Sequence, residues 1–261
     1  MIDNPNNMGL VLNMEGINKT FPGVQALDNV DFRLKKGTVH ILLGENGAGK
    51  STLVKILSGA HQMTGGRIFI NDQPVTIRNP RHARELGIGI IYQELNLIKN
   101  LSVAENIFLG REPIKKHIQI DDQLMKTWSN KILAELGVDI DSDCPVKEFG
   151  IAKQQMVEVA KALSLQANIL IMDEPTSALT ESEIKELFTT INHLKKSGVS
   201  IIYISHRMDE LFEIGDEVTV LRDGRGVGTR LIEGTSREEL IRMMVNRELN
   251  ESFIREQPTL G

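Results

Sequence analysis

Two hydrophobic periodicities divide the chain. Near its start, Leu10, Leu12 and Met14 alternate with Val11, Asn13 and Glu15, and Asn29-Val30-Asp31-Phe32-Arg33-Leu34 alternates cleanly between polar and apolar. A period of two marks strands with one buried and one wet face, so this region predicts an antiparallel pair turned at Pro22-Gly23. Residues 38–43, 169–172 and 199–204 are instead near-continuous apolar runs. Strands covered on both faces read this way. Residues 67–70 and 88–92 predict further strands, the first turned by Asp72-Gln73-Pro74. Asp223-Gly224 between two short apolar runs is a hairpin signal.

Between these strands the spacing becomes helical. Pro80 opens a short helix that Gly87 ends, and Ser102-Val103-Ala104-Glu105 is a capping box for a helix reaching Leu109. Residues 122–136 carry the stripe Leu124, Trp128, Ile132 and Leu136, and 152–165 carry Met156, Val159, Ala160 and Leu163. Thr180 caps a helix with the stripe Ile184, Leu187, Phe188, Ile191 and Leu194, and Thr235-Ser236 caps a last one near 240–245. Apolar strands alternating with helices predict one α/β domain with a mostly parallel sheet. Its core covers about 9–95 and 162–249, with an N-terminal antiparallel β region and a helical insert at about 96–161. Residues 1–8 and those from Asn250 on are polar and read as tails.

The strongest chemical signal is Gly44-Glu45-Asn46-Gly47-Ala48-Gly49-Lys50-Ser51, followed by Thr52. It fits G-x-x-x-x-G-K-[ST] and sits between a buried strand and a helix, the context that a phosphate-cradling P-loop needs. Its glycines allow a concave turn of inward-facing N–H groups, and the helix N-terminus adds partial positive charge. In this motif Lys50 reaches the outer phosphates and Ser51 offers a hydroxyl to Mg²⁺. The apolar run 169–172 then delivers Asp173 to the carboxyl end of a buried strand, where ligands gather in α/β sheets. Asp173 suits Mg²⁺ binding, and Glu174 suits orienting or deprotonating a water. Alone, the pair could be two solvated acids; the P-loop is what favours chemistry.

Composition narrows the class. The 261 residues are 41% hydrophobic and 25% charged, ordinary for a globular protein. A net charge of −5 offers no general basic field, so no nucleic-acid partner is expected. The single cysteine, Cys144, excludes an internal disulfide and fits a reducing compartment. No run approaches the roughly 18 apolar residues of a membrane span, and the polar first residues lack a signal-peptide core. A cytosolic protein that meets any membrane through a partner is expected.

The segment 172–179, Met-Asp-Glu-Pro-Thr-Ser-Ala-Leu, resembles the Walker B and D-loop of ATP-binding cassette (ABC) ATPases. Gln93, after a strand, matches the family's Q-loop, His206 its H-loop, and Phe21 the aromatic that stacks on adenine. Phe21 could equally be a core residue. The resemblance covers about residues 10–250. Segments 87–95, 100–111 and 243–249, with Thr180 where most ABC proteins carry aspartate, are similar to monosaccharide importers of the ribose and galactose type, first cassette. Such ATPases usually carry two cassettes in one chain, and this sequence, holding one, is compatible with a fragment of such a chain. The resemblance implies an ABC-type P-loop fold and an ATPase using ATP and Mg²⁺. It implies Ser51, Gln93 and Asp173 around the metal, Glu174 on the attacking water, His206 bonding the γ-phosphate and holding that water and Glu174, and Gln93 sensing the γ-phosphate or Mg²⁺ and passing movement to a membrane partner. His40, His61, His82, His117 and His193 lack such context and read as surface or packing residues.

The resemblance also implies partners: a second cassette, permease subunits and, indirectly, a periplasmic sugar-binding protein, with the chain peripheral on the cytoplasmic face of the inner membrane. The family's LSGGQ signature is the weak point. The chain has Phe149, Gly150, Ile151, Ala152 and Lys153 there, with no position matching. That signature covers the partner's ATP, so either the subfamily tolerates drift at these positions or the site this chain completes is weak. A soluble ABC ATPase acting on ribosomes or DNA, and a nucleotide-binding regulatory module with weak hydrolysis, are the rival readings.

Overall fold

The computed structural model describes residues 9–115 and 119–245. The N-terminal segment 1–8, His117, residues 246–249 of the 243–249 motif and the polar C-terminal stretch lie outside the described residues. Within them the elements are β1 (Leu10–Phe21), β2 (Val24–Lys35), β3 (Val39–Leu43), α1 (Lys50–Leu57), β4 (Gly65–Ile70), β5 (Gln73–Val75), α2 (Pro80–Glu85) and β6 (Ile88–Ile91). Then come α3 (Val103–Phe108), β7 (Ile114–Lys115), β8 (Gln119–Ile120), α4 (Asp122–Glu135) and α5 (Ile151–Leu163). The chain continues with β9 (Ile169–Asp173), α6 (Glu181–Lys196), β10 (Ser200–Ile204), α7 (Met208–Ile214), β11 (Glu217–Arg222), β12 (Arg225–Leu231) and α8 (Arg237–Met244).

A six-stranded sheet of order β12-β11-β3-β10-β9-β6 forms the centre. Its strands run parallel except β12, which returns as an edge hairpin from β11 through Asp223 and Gly224, both at positive φ. The near-continuous apolar runs have a two-sided job. Val39, Ile41, Leu43, Leu170, Met172, Ile201 and Tyr203 face one core, with α5 and α6. Leu42, Ile169, Ile171, Ile202 and Ile204 face the other, shared with α1 and the antiparallel sheet. That second sheet has the order β2-β1-β4-β5. Val30, Phe32 and Leu34 point inward from β2 while Asn29, Asp31 and Arg33 face solvent, as the alternation requires. Each fully buried Leu, Ile or Phe contributes roughly 1.5–3 kcal/mol, so these faces fix strand register strongly.

Three local expectations need correction. The turn after β4 is Asn71-Asp72, both at positive φ, and Gln73-Pro74 already lie in β5. As an edge strand, β5 tolerates a proline that cannot donate to a ladder. In α4 the buried positions are Met125, Ser129 and Leu133, while Leu124 and Trp128 are exposed. The helix is thus rotated by about one residue from the expected stripe, and Trp128 instead lies at a tilt on Phe108, centroids 5.7 Å apart. The small hairpin β7–β8 and the helix α7 were not anticipated at all.

Candidate functional site

The P-loop joins β3 to α1 at the carboxyl edge of the parallel sheet. Gly47 and Gly49 take φ of 85° and 103°, values that favour glycine. At Gly49 a Cβ would also stand 2.7 Å from Leu27 Cδ2 and 3.0 Å from the Ala26 carbonyl oxygen. No side chain caps the first turn of α1. Lys50 is buried across the loop and its ammonium donates to the carbonyls of Gly44 (2.6 Å) and Glu45 (3.0 Å). Two of its three protons are thereby used, leaving one for an anion.

Around Lys50 the fold gathers Asn46, Gly47, Ala48, Gly49, Ser51, Thr52, Gln93, Asp173 and Glu174 on one cleft of about 580 Å³. The lining comes from six separate stretches of sequence: the loop, Gln93 after β6, Asp173-Glu174 at the end of β9, Ile204 on β10, the Asp223-Gly224 turn and, at the rim, Val24–Ala26 on β2. Burial pushes the Lys50 ammonium below its ordinary value, opposed by Glu174 and Asp173. Burial likewise raises the Asp173 carboxyl, with Glu174 adding to it and Lys50 opposing. A cation beside Asp173 and Glu174 would oppose both causes that raise the Asp173 carboxyl, as Lys50 and Lys55 already do.

Ser51, Gln93 and Asp173 present a hydroxyl, an amide and a carboxylate, the hard oxygen donors that suit Mg²⁺. Among the described residues no group of three or more His, Cys, Asp or Glu forms a metal cluster, so protein side chains alone do not complete a metal shell here. Substrate phosphates and waters commonly supply the rest for Mg²⁺.

Glu174 takes a positive φ of 47° just past β9, and its N–H donates to the Ile204 carbonyl at 3.0 Å. This turn carries its carboxylate to His206, whose Nδ1 lies 3.2 Å from Oε1. His206 is mostly exposed and joins the cleft through Glu174 rather than lining it. Phe21 also stays off the lining. It ends β1 opposite Val24, packs edge-on against His61 at 5.3 Å and lies under the Lys19 ammonium.

The segment Phe149–Lys153 contributes no residue to the P-loop cleft. Gly150 is the N-cap of α5 without a side-chain cap, and Lys153 donates to the Asp139 carbonyl at 3.2 Å. Ala152 and Lys153 line a different groove, of about 470 Å³, between α4, α5 and α6. Among the other described histidines, His193 is exposed on that same groove, and three more pack against neighbours. His40 is buried against Phe32 and bonded to Thr219, His61 meets Phe21, and His82 Nδ1 accepts from the Arg78 N–H.

Two groups escaped sequence reasoning. Glu158 on α5 accepts from the Asn96 N–H at 2.9 Å, while Lys161 donates to the Asn96 carbonyl, so α5 grips the segment just after Gln93. Burial raises the Glu158 carboxyl despite the nearby Lys161. Glu210 on α7 is the second. Neither had a signal in the sequence, since an acid among helical positions ordinarily reads as solvated.

Comparison with known proteins bears on this geometry. A family model described as "ABC transporter" matches residues 27–177. The ribose import ATP-binding protein RbsA 1 of Rubrobacter xylanophilus is 52% identical over 96% of this chain and 50% of its own length. The protein of the same name from Streptomyces avermitilis is 50% identical over 98% of this chain and 48% of its own. The chain thus spans about half the length of the curated relatives it matches. Among solved structures, a nucleotide-free ATP-binding cassette from an ABC transporter superimposes with a TM-score of 0.77 at 26% identity, covering 92% of this chain and 96% of that one.

Proposed function

The chain belongs to the ABC transporter family, and from that premise we propose that it is the ATP-binding and ATP-hydrolysing cassette of a monosaccharide importer. The observation that carries this reading is the gathering of Ser51, Gln93, Asp173 and Glu174 around Lys50 in one cleft. In this reading the loop N–H groups and Lys50 hold the ATP phosphates. Ser51, Asp173 and Gln93 hold Mg²⁺, which when bound screens the phosphate charge. Phe21 and the Val24–Ala26 rim flank the adenine. Glu174 orients and deprotonates the attacking water, and His206 fixes Glu174 through the 3.2 Å contact.

The site on this chain is then half a site. A second cassette, on the same or another chain, contributes the signature that covers this ATP, and Phe149–Lys153 covers the partner's. Gly150 lacks the serine hydroxyl, a contact to charged phosphate contributing roughly 1.5–3 kcal/mol. The two composite sites are accordingly unequal, and a homodimer of this chain is slow. Support for permease coupling comes from the groove beside Gln93, lined by Arg84, Tyr92, Glu158 and Lys161, with α5 gripping Asn96. No helix among the described residues is long and apolar enough to cross a membrane. Peripheral attachment through permease subunits on the cytoplasmic face, with a periplasmic sugar-binding protein upstream, completes the reading. One single-domain cassette with a helical insert at about 96–161 is the proposed domain plan.

The test is reconstitution: the chain with its permease and a sugar-binding protein should give ATP-dependent monosaccharide uptake that Glu174→Gln abolishes. Copurification with ribosomes and no association with a permease would overturn it.

A further inference from the structure

The buried carboxylate of Glu210 lies outside the cleft and has no part in the scheme above, yet four donors converge on it. Its Oε1 accepts from Thr176 Oγ1 at 2.7 Å and faces Arg207 Nη1 at 3.2 Å. Its Oε2 accepts from Tyr203 Oη at 2.8 Å and Ser205 Oγ at 2.7 Å. Thr176, Tyr203, Ser205 and Glu210 are all buried. A carboxylate so surrounded is acceptor-only and fully used, so every one of these hydroxyls is fixed in direction. Burial, followed by the Glu210 charge, raises the Tyr203 phenol well above its ordinary value, which keeps it a donor.

The placement of those donors is what matters. Thr176 stands two residues after Glu174, and Ser205 immediately precedes His206. The Arg207 N–H donates back to Ser205 Oγ at 3.0 Å, closing the His206 turn. The segment bearing Glu174 and the segment bearing His206 therefore share one buried anion, and their functional side chains meet at 3.2 Å. A backbone bond from the Glu174 N–H to the Ile204 carbonyl, 3.0 Å, is a further tie at the base of the two segments.

We infer that Glu210 is a positioning residue for ATP hydrolysis: it locks the 174–176 turn to the 205–207 turn and so sets the Glu174–His206 geometry. This rests on the proposed hydrolytic role of that pair. Proximity sets the expected size. A displacement of about 1 Å at a reacting group costs on the order of a hundredfold in rate, whereas the phosphate contacts around Lys50 do not depend on these turns.

The experiment compares Glu210→Gln and Thr176→Val with the parent chain by three readouts. The first is the His206 imidazole resonance in NMR, which is independent of turnover. It should move in both variants toward its position in Glu174→Gln, further in Glu210→Gln. The second is single-turnover kcat with a partner cassette carrying an intact signature. This should fall about a hundredfold for Glu210→Gln and less for Thr176→Val, with affinity for a non-hydrolysable ATP analogue unchanged. The third is a double-mutant cycle, in which Glu210→Gln costs far less in a His206→Ala background. An unmoved His206 resonance in a folded variant overturns the inference. So does a loss of kcat and ATP-analogue affinity together that multiplies with that of His206→Ala, which is what a merely structural role gives. If Glu210→Gln does not fold, the isosteric Thr176→Val decides by the same readouts. A parent chain that binds ATP without turnover counts against the proposed function, while the resonance still decides on Glu210.

Discussion

Replacing Lys50 by methionine separates phosphate binding from stability. Methionine keeps the length and apolar stem but removes the ammonium. In the structure that ammonium donates to the Gly44 and Glu45 carbonyls, which holds the loop closed. It is also desolvated, and burial pushes its proton affinity below the ordinary value. The two effects oppose each other in the fold: lost charge-assisted bonds destabilise, and relief of a buried charge stabilises. Their near balance predicts a net change of about 1 kcal/mol, or roughly 2–4 °C in Tm for a chain of this size. No such compensation exists for a bound phosphate. Losing one charge-assisted contact costs roughly 1.5–3 kcal/mol, hence about 10- to 150-fold in Kd. Titration calorimetry with a non-hydrolysable ATP analogue and Mg²⁺, beside a thermal melt, reads both quantities. A Kd within threefold of the parent would refute the phosphate role of the loop. A fall in Tm above about 10 °C would refute the balance assigned to Lys50 in the fold.

Three further predictions follow from particular residues. A Cβ at Gly150 meets open space and its φ is −62°, so Gly150→Ser should fold normally, cap α5 and raise ATP turnover of a homodimer of this chain by about tenfold or more. Steady-state turnover of the two homodimers checks this, and equal rates would show that serine is not what the segment lacks. Burial, followed by the Lys35 charge, pushes His40 down to about 3 from an ordinary value of about 6.5. The unfolded chain therefore binds the extra proton between these values, and stability is full above about 6.5 and falls by up to about 1.4 kcal/mol per pH unit below it. Urea midpoints at pH 5 and 7 should differ less in His40→Leu than in the parent. Finally, Leu133→Ala should cost about 2–5 kcal/mol and Trp128→Ala well under that, because α4 buries the former and exposes the latter. Thermal melts with the opposite order would restore the stripe expected from spacing.

How much the sequence disclosed depends on what each residue is constrained by. The P-loop was readable because its backbone demands glycine at fixed places, as Gly47 and Gly49 show. Buried strands were readable because both faces are covered, so Val39–Leu43 and Ile169–Asp173 stay apolar almost throughout. Capping boxes at Ser102 and Thr180 are local chemistry, and both occur as expected. The face of α4 was not readable. Ile132 and Leu136 are compatible with either of two overlapping stripes, and the choice falls to tertiary packing, where the small, fully buried Ser129 faces the core. The helix α7 escaped because its buried face includes Glu210, an acid made tolerable there by hydroxyls from residues 176, 203 and 205 and by the Arg207 guanidinium. Likewise, the meeting of Glu174 with His206 is a property of neighbouring strands β9 and β10, which spacing along the chain does not express.

The most direct test of the central claim is ATP turnover by this chain, alone and paired with a cassette whose signature is intact. Loss of a general base costs on the order of 10²–10⁴-fold. The account predicts slow turnover alone, marked acceleration by the partner, and loss of the accelerated rate on that scale in Glu174→Gln with ATP binding retained. Brisk turnover by the unpaired chain, or an accelerated rate that survives Glu174→Gln, would contradict it.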